Sequence, residues 1–195
     1  MSQYQVINAV GITLRDLLWS EMEFDPTISS LINEQDIVFE APYKFISEID
    51  PETNRLSLFL YRIVENSDMR NRNPEFKNGK SVRYPPLFLN LSYLITPLTN
   101  SAENNHYLLG KAMRILHDNG IVKGSLLQNI LENTAEELRI IFHPISMEDM
   151  TKLWSSFLRP YHLSAAYEIK VVAIDSEQTI EAETVLRKRI EYTQR

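Results

Sequence analysis

A chain of 195 residues, 44% hydrophobic and 24% charged, has ordinary globular composition and the length of one domain able to bury a sizeable core. A formal charge of −6 argues against whole-surface nucleic-acid binding, which goes with a strongly basic domain. The absence of cysteine excludes a disulfide framework, a thiolate nucleophile and any cysteine-based zinc or iron–sulfur centre.

The opening Met1-Ser2-Gln3-Tyr4-Gln5 has neither the basic start nor the apolar run of a secretory signal. The longest apolar runs are strand-sized, short of the ~20 residues that span a bilayer. A soluble, cytoplasmic protein is expected. Residues 5–20 place Ile7, Val10, Leu14 and Leu17 on one helical face, and Asp25-Pro26-Thr27 breaks the pattern. Residues 36–40 read as a short edge strand closed by Pro42, and residues 50–54 as a turn.

Two strong strands follow, at residues 56–64 and 87–95. In the second, Leu87, Leu89, Leu91, Tyr93 and Ile95 share one face, while Phe88, Asn90, Ser92, Leu94 and Thr96 make a half-polar one. Such alternation predicts an antiparallel strand with one buried side. A helix is predicted over residues 105–118 from Leu109, Met113 and Leu116, with Asn119-Gly120 as its stop. Residues 137–143 form a further strand stopped by Pro144. Ser146 with Asp149 then opens a helix whose face is Met147, Met150, Trp154 and Phe157. Residues 162–175 alternate again, with Leu163, Ala165, Tyr167, Ile169, Val171 and Ala173 facing one way. The fold class expected is α+β: an antiparallel or mixed β-sheet with helices packed on one face.

Between the two strong strands lie Arg70, Arg72, Lys77, Lys80 and Arg83 against only Asp68 and Glu75. A hairpin closes with about 2–5 residues, so this long basic loop is expected to be a solvated arm serving something other than a turn. A second basic segment, Arg187-Lys188-Arg189, follows the last strong strand; such a tail is commonly disordered or donated as a strand to a neighbour. Two basic appendages on an acidic body suggest docking onto acidic surfaces, copies of the same protein among them.

Chemistry finds little purchase. No G-x-S-x-G, G-x-G-x-x-G or P-loop pattern occurs, and Gly79-Lys80-Ser81 lacks the upstream glycine of a phosphate loop. His106, His117, His143 and His162 have no partner at metal-ligand spacing, and structural roles fit them better. Glu132, Glu136 and Glu137, and again Glu148 and Asp149, read as the solvated face and first turn of helices rather than an acid–base pair. Neither a catalytic site nor a cofactor is expected.

Four stretches in order carry a resemblance: residues 6–19, 56–66, 85–96 and 106–118. The specific parts are the strand through Leu60-Tyr61-Arg62, the paired Pro85-Pro86, and the helix with Leu109-Gly110-Lys111-Ala112-Met113-Arg114-Ile115-Leu116-His117. The chain resembles the N-terminal domain of the tail-terminator or cap proteins of extracellular contractile injection systems, relatives of phage contractile tails. The similarity reaches to about Asp175. It implies a phage tail-terminator-like subunit of a six-fold ring that ends inner-tube growth and anchors the last sheath layer. Residues 1–175 would form one cap domain and residues 176–195 a C-terminal extension. Self, inner-tube and sheath proteins are the implied partners, with assembly in the cytoplasm before incorporation into the particle; no small molecule or membrane is involved.

Such a family offers no catalytic residues. The expected interface residues are instead an inference from charge: Arg62, Arg70, Arg72, Lys77, Lys80, Arg83, Arg187, Lys188 and Arg189. Two rivals stand beside this reading. One is a small ligand-binding or hydrolytic α+β protein; the other is an adaptor whose basic loop binds nucleic acid, marked by strong salt dependence.

Overall fold

A computed structural model describes residues 3–46, 53–70, 75–77, 81–132 and 134–181. The chain opens with α1 (Val6–Met22) and the single turn α2 (Pro26–Ser29), then β1 (Ile37–Val38), α3 (Tyr43–Ile46) and β2 (Arg55–Glu65). A hairpin of β3 (Glu75–Lys77) and β4 (Ser81–Arg83) leads to β5 (Leu87–Leu98) and α4 (Ala102–Asp118). Next come β6 (Ile121–Lys123), β7 (Glu137–Phe142), α5 (Met147–Ser156), β8 (Ala165–Ile174) and β9 (Thr179–Glu181).

Six strands make one sheet in the order β1-β2-β5-β8-β7-β6. Only β1 pairs in parallel, so the sheet is mixed. Its centre is β5 and β8, the two strands with the longest apolar alternation. The helical stripes explain the main layer. Val10, Leu14 and Leu17 of α1, and Leu108, Leu109, Ala112, Ile115 and Leu116 of α4, are buried against Leu58, Leu91, Tyr93, Ile95, Tyr167 and Ile169 of the sheet. Ser101 caps α4 by accepting a hydrogen bond from the Asn104 amide. Inside α1, Gly11 admits the Phe39 ring and the Tyr93 hydroxyl; a Cβ there would stand 3.3 and 3.6 Å from them. Thr13, fully buried on the same helix, accepts a 3.1 Å hydrogen bond from the Gln128 amide and ties α1 to the segment after β6.

The α+β expectation holds, with two refinements. The long helices lie on one face as predicted, but the short α5 covers part of the other. Leu94 and Ala166, which alternate away from the main core, pack with Met150 and Trp154 in a separate cluster. The second strong strand is therefore buried on both sides, with Leu94 and Thr96 at 0% exposure, rather than on one. Met147, expected on the covered face of this helix, is exposed because it is the first residue after the Ser146 cap.

The other refinement concerns phase. Between the pairs Leu89↔Val172 and Leu91↔Ile169, β8 carries one more residue than β5. This bulge reverses the alternation beyond Ile169, so Val172 and Ile174 continue the core face where Ala173 was expected; the side chain of Val171 lies outside what is described. A second bulge at Tyr61 gives β2 an extra residue between Leu60↔Tyr93 and Arg62↔Ser92.

Candidate functional site

The basic segment is not a plain loop. Its described parts are β3 and β4, paired through Glu75↔Arg83, Phe76↔Val82 and Lys77↔Ser81. β9 adds a third strand, with Arg83↔Thr179 and Ser81↔Glu181. The beginning of the C-terminal extension is thus paired with its own chain's arm. An isolated two-stranded hairpin is marginal in water, and the third strand is what gives this arm a sheet.

The expected interface residues separate into groups. Lys77 and Arg83 end β3 and β4, and Arg70 stands at the base of the arm, exposed, with its Nε 3.5 Å from Glu65 Oε2. Arg62 lies elsewhere, exposed beside the β2 bulge, in a recess of about 480 Å³ with His143, Ser146, Asp149 and Lys152. Its neighbour Tyr61 has a phenol pushed above its usual range, chiefly by burial, with a hydrogen bond to Ser92 opposing. Arg72, Lys80, Arg187, Lys188 and Arg189 lie outside the described residues.

The arm springs from the rim of a cleft of about 840 Å³, which Met69 and Pro86 help to line. The first wall is the end of β2 and the turn after it. Asn66, 7% exposed, builds that turn: its Oδ1 accepts from the amides of Asp68 (3.1 Å) and Met69 (3.2 Å), its Nδ2 donates to Asn90 Oδ1 (3.0 Å), and its own amide donates to Phe88 O (2.8 Å). The opposite wall is β7 with the end of β8. Five carboxylates line the cleft: Glu65, Asp68, Glu136, Glu137 and Asp175. Two cations, Arg139 and Lys170, also line it, at 3.9 Å from Glu137 and 2.9 Å from Glu168. Its balance is acidic.

Sequence reasoning missed this cleft. Glu137 opens β7, in line with the strand expected over residues 137–143, while Glu136, read on a helical face, leads into that strand instead. Glu148 and Asp149 do sit in the first turn of α5, where Lys152 reaches them at 2.7 and 3.7 Å. The only available signal for the cleft was the density of acids at both ends of the sheet.

The rest of the surface offers little for chemistry. Among the described residues no group of three or more His, Asp or Glu is placed to hold a metal ion. His162 lies against Trp154, ring centroids 5.3 Å apart, and burial lowers its pKa. Asp25 receives a 3.1 Å hydrogen bond from Lys111 Nζ, which holds its carboxyl below the usual range and fastens α2 to α4. No described helix is long and apolar enough to cross a membrane.

Comparison with known proteins places this architecture. No curated protein matches the chain by sequence. Among solved structures, the sheath/tube terminator of an extracellular contractile injection system, PVC, in its extended state, superposes with a TM-score of 0.58 at 16% identity, over 94% of this chain and 63% of the other. The tube-terminating cap of the anti-feeding prophage superposes with a TM-score of 0.59 at 18% identity, over 98% of this chain and 62% of the other. The chain thus spans somewhat under two thirds of the length of these neighbours and shares their fold. The model of the Pvc16 N-terminal domain matches residues 9–188, nearly the whole chain, and the protein belongs to that family.

Proposed function

We propose that this protein is a structural cap of a contractile injection particle: a subunit that seats on the end of the inner tube, stops its growth and anchors the last layer of sheath. The observation that carries the reading is the family match across residues 9–188. The likeness of fold to a sheath/tube terminator and a tube-terminating cap supports it. The open cleft supports it too: it is lined by five carboxylates and two cations and is unlike an enclosed, partly apolar pocket with converging catalytic groups.

In this proposal the subunits form a ring of six through head-to-tail contacts that close by rotation, and they touch both tube and sheath proteins. The cap is made in the cytoplasm and leaves as part of the particle. The basic arm is an assembly surface, where charge sets register and speeds encounter more than it adds affinity.

Electron microscopy of particles made without this protein tests the function. Tubes and sheaths of uncontrolled or unstable length are expected; a normal, uniform length would refute the reading. Reversing Arg70, Arg72 and Arg83 to Glu should impair incorporation while leaving the isolated fold unchanged by circular dichroism. Unimpaired incorporation would remove the arm from the interface and leave the cap reading standing.

A further inference from the structure

We infer that Leu158 is an anchor between copies of this chain: its side chain enters the recess between α1 and residues 129–130 of a second copy. The inference rests on the ring-forming reading above and names one contact of that ring.

The backbone marks the anchor. Leu158 has φ 55°, and its side chain is 91% exposed, more than any other large apolar side chain among the described residues. It follows α5 at the position where glycine ordinarily ends a helix. Its amide donates to Ser155 O (3.0 Å) and the Arg159 amide to Trp154 O (3.5 Å), the pattern of a left-handed C-terminal cap. Glycine would make that turn without strain, whereas a leucine there crowds its own backbone. Leaving the apolar side chain in water is a second cost. So exposed a side chain has little inside its own subunit to offset either, and strain retained in this way is characteristic of a contact made with something else. Pro160 and Tyr161, both exposed, follow on the same loop.

The socket has matching chemistry. Gln5, Asn8, Ala9 and Ile12, at the start of α1, and Asn129 and Ile130 line a recess of about 450 Å³ without a charged group. Ala9 is buried and Ile12 and Ile130 are half-buried, so the floor is apolar; the exposed Gln5, Asn8 and Asn129 form a carboxamide rim. An apolar centre inside a polar rim is how protein–protein contacts are built. The cleft beside β7, the recess at Arg62 and the one between α2 and α4 are instead lined with charged groups, which a leucine would strip of water. Asn129, at φ 56°, is the other described non-glycine residue with a left-handed backbone, so the two outliers stand at anchor and socket.

Placement makes this a contact between copies. α1 and residues 129–131 belong to the layer on one face of the six-stranded sheet, and α5 to the layer on the other. The sheet therefore stands between Leu158 and the recess of its own subunit. Anchor and socket are different patches on opposite faces of each copy, and a contact of that type propagates head to tail until it closes by rotation.

The lack of cysteine permits a direct test. N8C at the rim and S156C beside the anchor are both exposed positions and leave Leu158 in place. The two chains are mixed, assembled into particles and treated with a short bismaleimide. A cross-linked dimer is expected from the mixture, a ladder of higher species from a chain carrying both changes, and no dimer when E21C, at the far end of α1, replaces N8C. Leu158→Gly separates the anchor from the fold, because glycine suits the left-handed turn. The melting temperature of the isolated chain should not fall, while incorporation into particles should drop about tenfold or more, as loss of a buried leucine does. Asn8→Trp, which fills the recess from an exposed helical position, should lower incorporation likewise. Cap-bearing particles with no link between positions 8 and 156, or a Leu158→Gly chain incorporated as well as the parent, would overturn the inference and leave the functional reading standing. So would a benzophenone maleimide at position 156 that captures a tube or sheath subunit in place of the cap. Absence of the unsubstituted chain from particles would defeat both.

Discussion

Trp154 offers a sharp test of how the second layer is held. Its indole is 1% exposed, wedged between α5 and the outer face of β5 and β8, with ring contacts to Phe157 (5.6 Å), Tyr161 (6.3 Å) and His162 (5.3 Å). Among the described residues its Nε1 donor has no hydrogen-bond partner. Two terms therefore oppose each other in Trp154→Phe. Shrinking the ring leaves roughly 40 Å³ unfilled, which costs about 1 kcal/mol at about 24 cal/mol per Å³, and lost apolar transfer adds about 1 kcal/mol. Removing an orphaned buried N–H returns about 1–3 kcal/mol. The sum lies within about 1 kcal/mol of zero, a shift of at most a few degrees in melting temperature for a domain of this size. Trp154→Ala deletes the same N–H but also the whole apolar ring; a loss of about 3–5 kcal/mol less the return of about 1–3 kcal/mol leaves a net cost of roughly 2 kcal/mol, lowering the melting temperature by roughly 4–8 °C. Urea unfolding followed by far-ultraviolet circular dichroism measures both, since the substitution removes one of only two tryptophan fluorophores. If Trp154→Phe proves as costly as Trp154→Ala, the indole nitrogen is bonded and the reasoning fails.

Thr13→Val keeps shape but strips the fully buried acceptor from the half-buried Gln128 amide, so a loss of about 1–2 kcal/mol is expected in the same unfolding assay. Asn66→Ala removes the acceptor of two amides and the link to Asn90; it should cost about 2 kcal/mol and speed hydrogen exchange at residues 67–69 more than elsewhere. His162 gives a pH dependence. Burial holds its folded pKa below the unfolded value near 6.5, so its neutral form favours the fold. That contribution is complete above pH ~6.5 and is lost as pH falls from there through the folded pKa. Melting temperature should drop on acidification across this window, and His162→Gln should flatten the drop.

The sequence was most informative where one segment carries a whole pattern. The apolar stripe of α4 and the alternation of β5 each repeat several times within their own length, so residues 105–118 and 87–95 were located closely. β8 was legible only to Ile169. A bulge adds a residue without altering the apolar run, and Val171 and Val172 look alike, so nothing in composition marks the reversal. The strands β3, β4, β6 and β9 have three residues each, too few to show a period, and β4 and β9 hold each other from opposite parts of the chain. The acidic cleft was hidden for a related reason. Its walls come from four separate stretches, and only their meeting in space turns scattered carboxylates into a surface. The basic arm, by contrast, announced itself as charge density, although its strands did not.

The pairing of β9 with β4 sets an order in time. During synthesis the hairpin emerges roughly a hundred residues before the strand that completes it, since Arg83 waits for Thr179. The central strand β8 is nearly as late, so the main sheet also stays divided until residue 165 and beyond have been made. A nascent or prematurely terminated chain therefore cannot present a finished arm. Both sheets are thus completed only at the end of this domain's synthesis, and partial products lack the three-stranded arm as well as the closed main sheet.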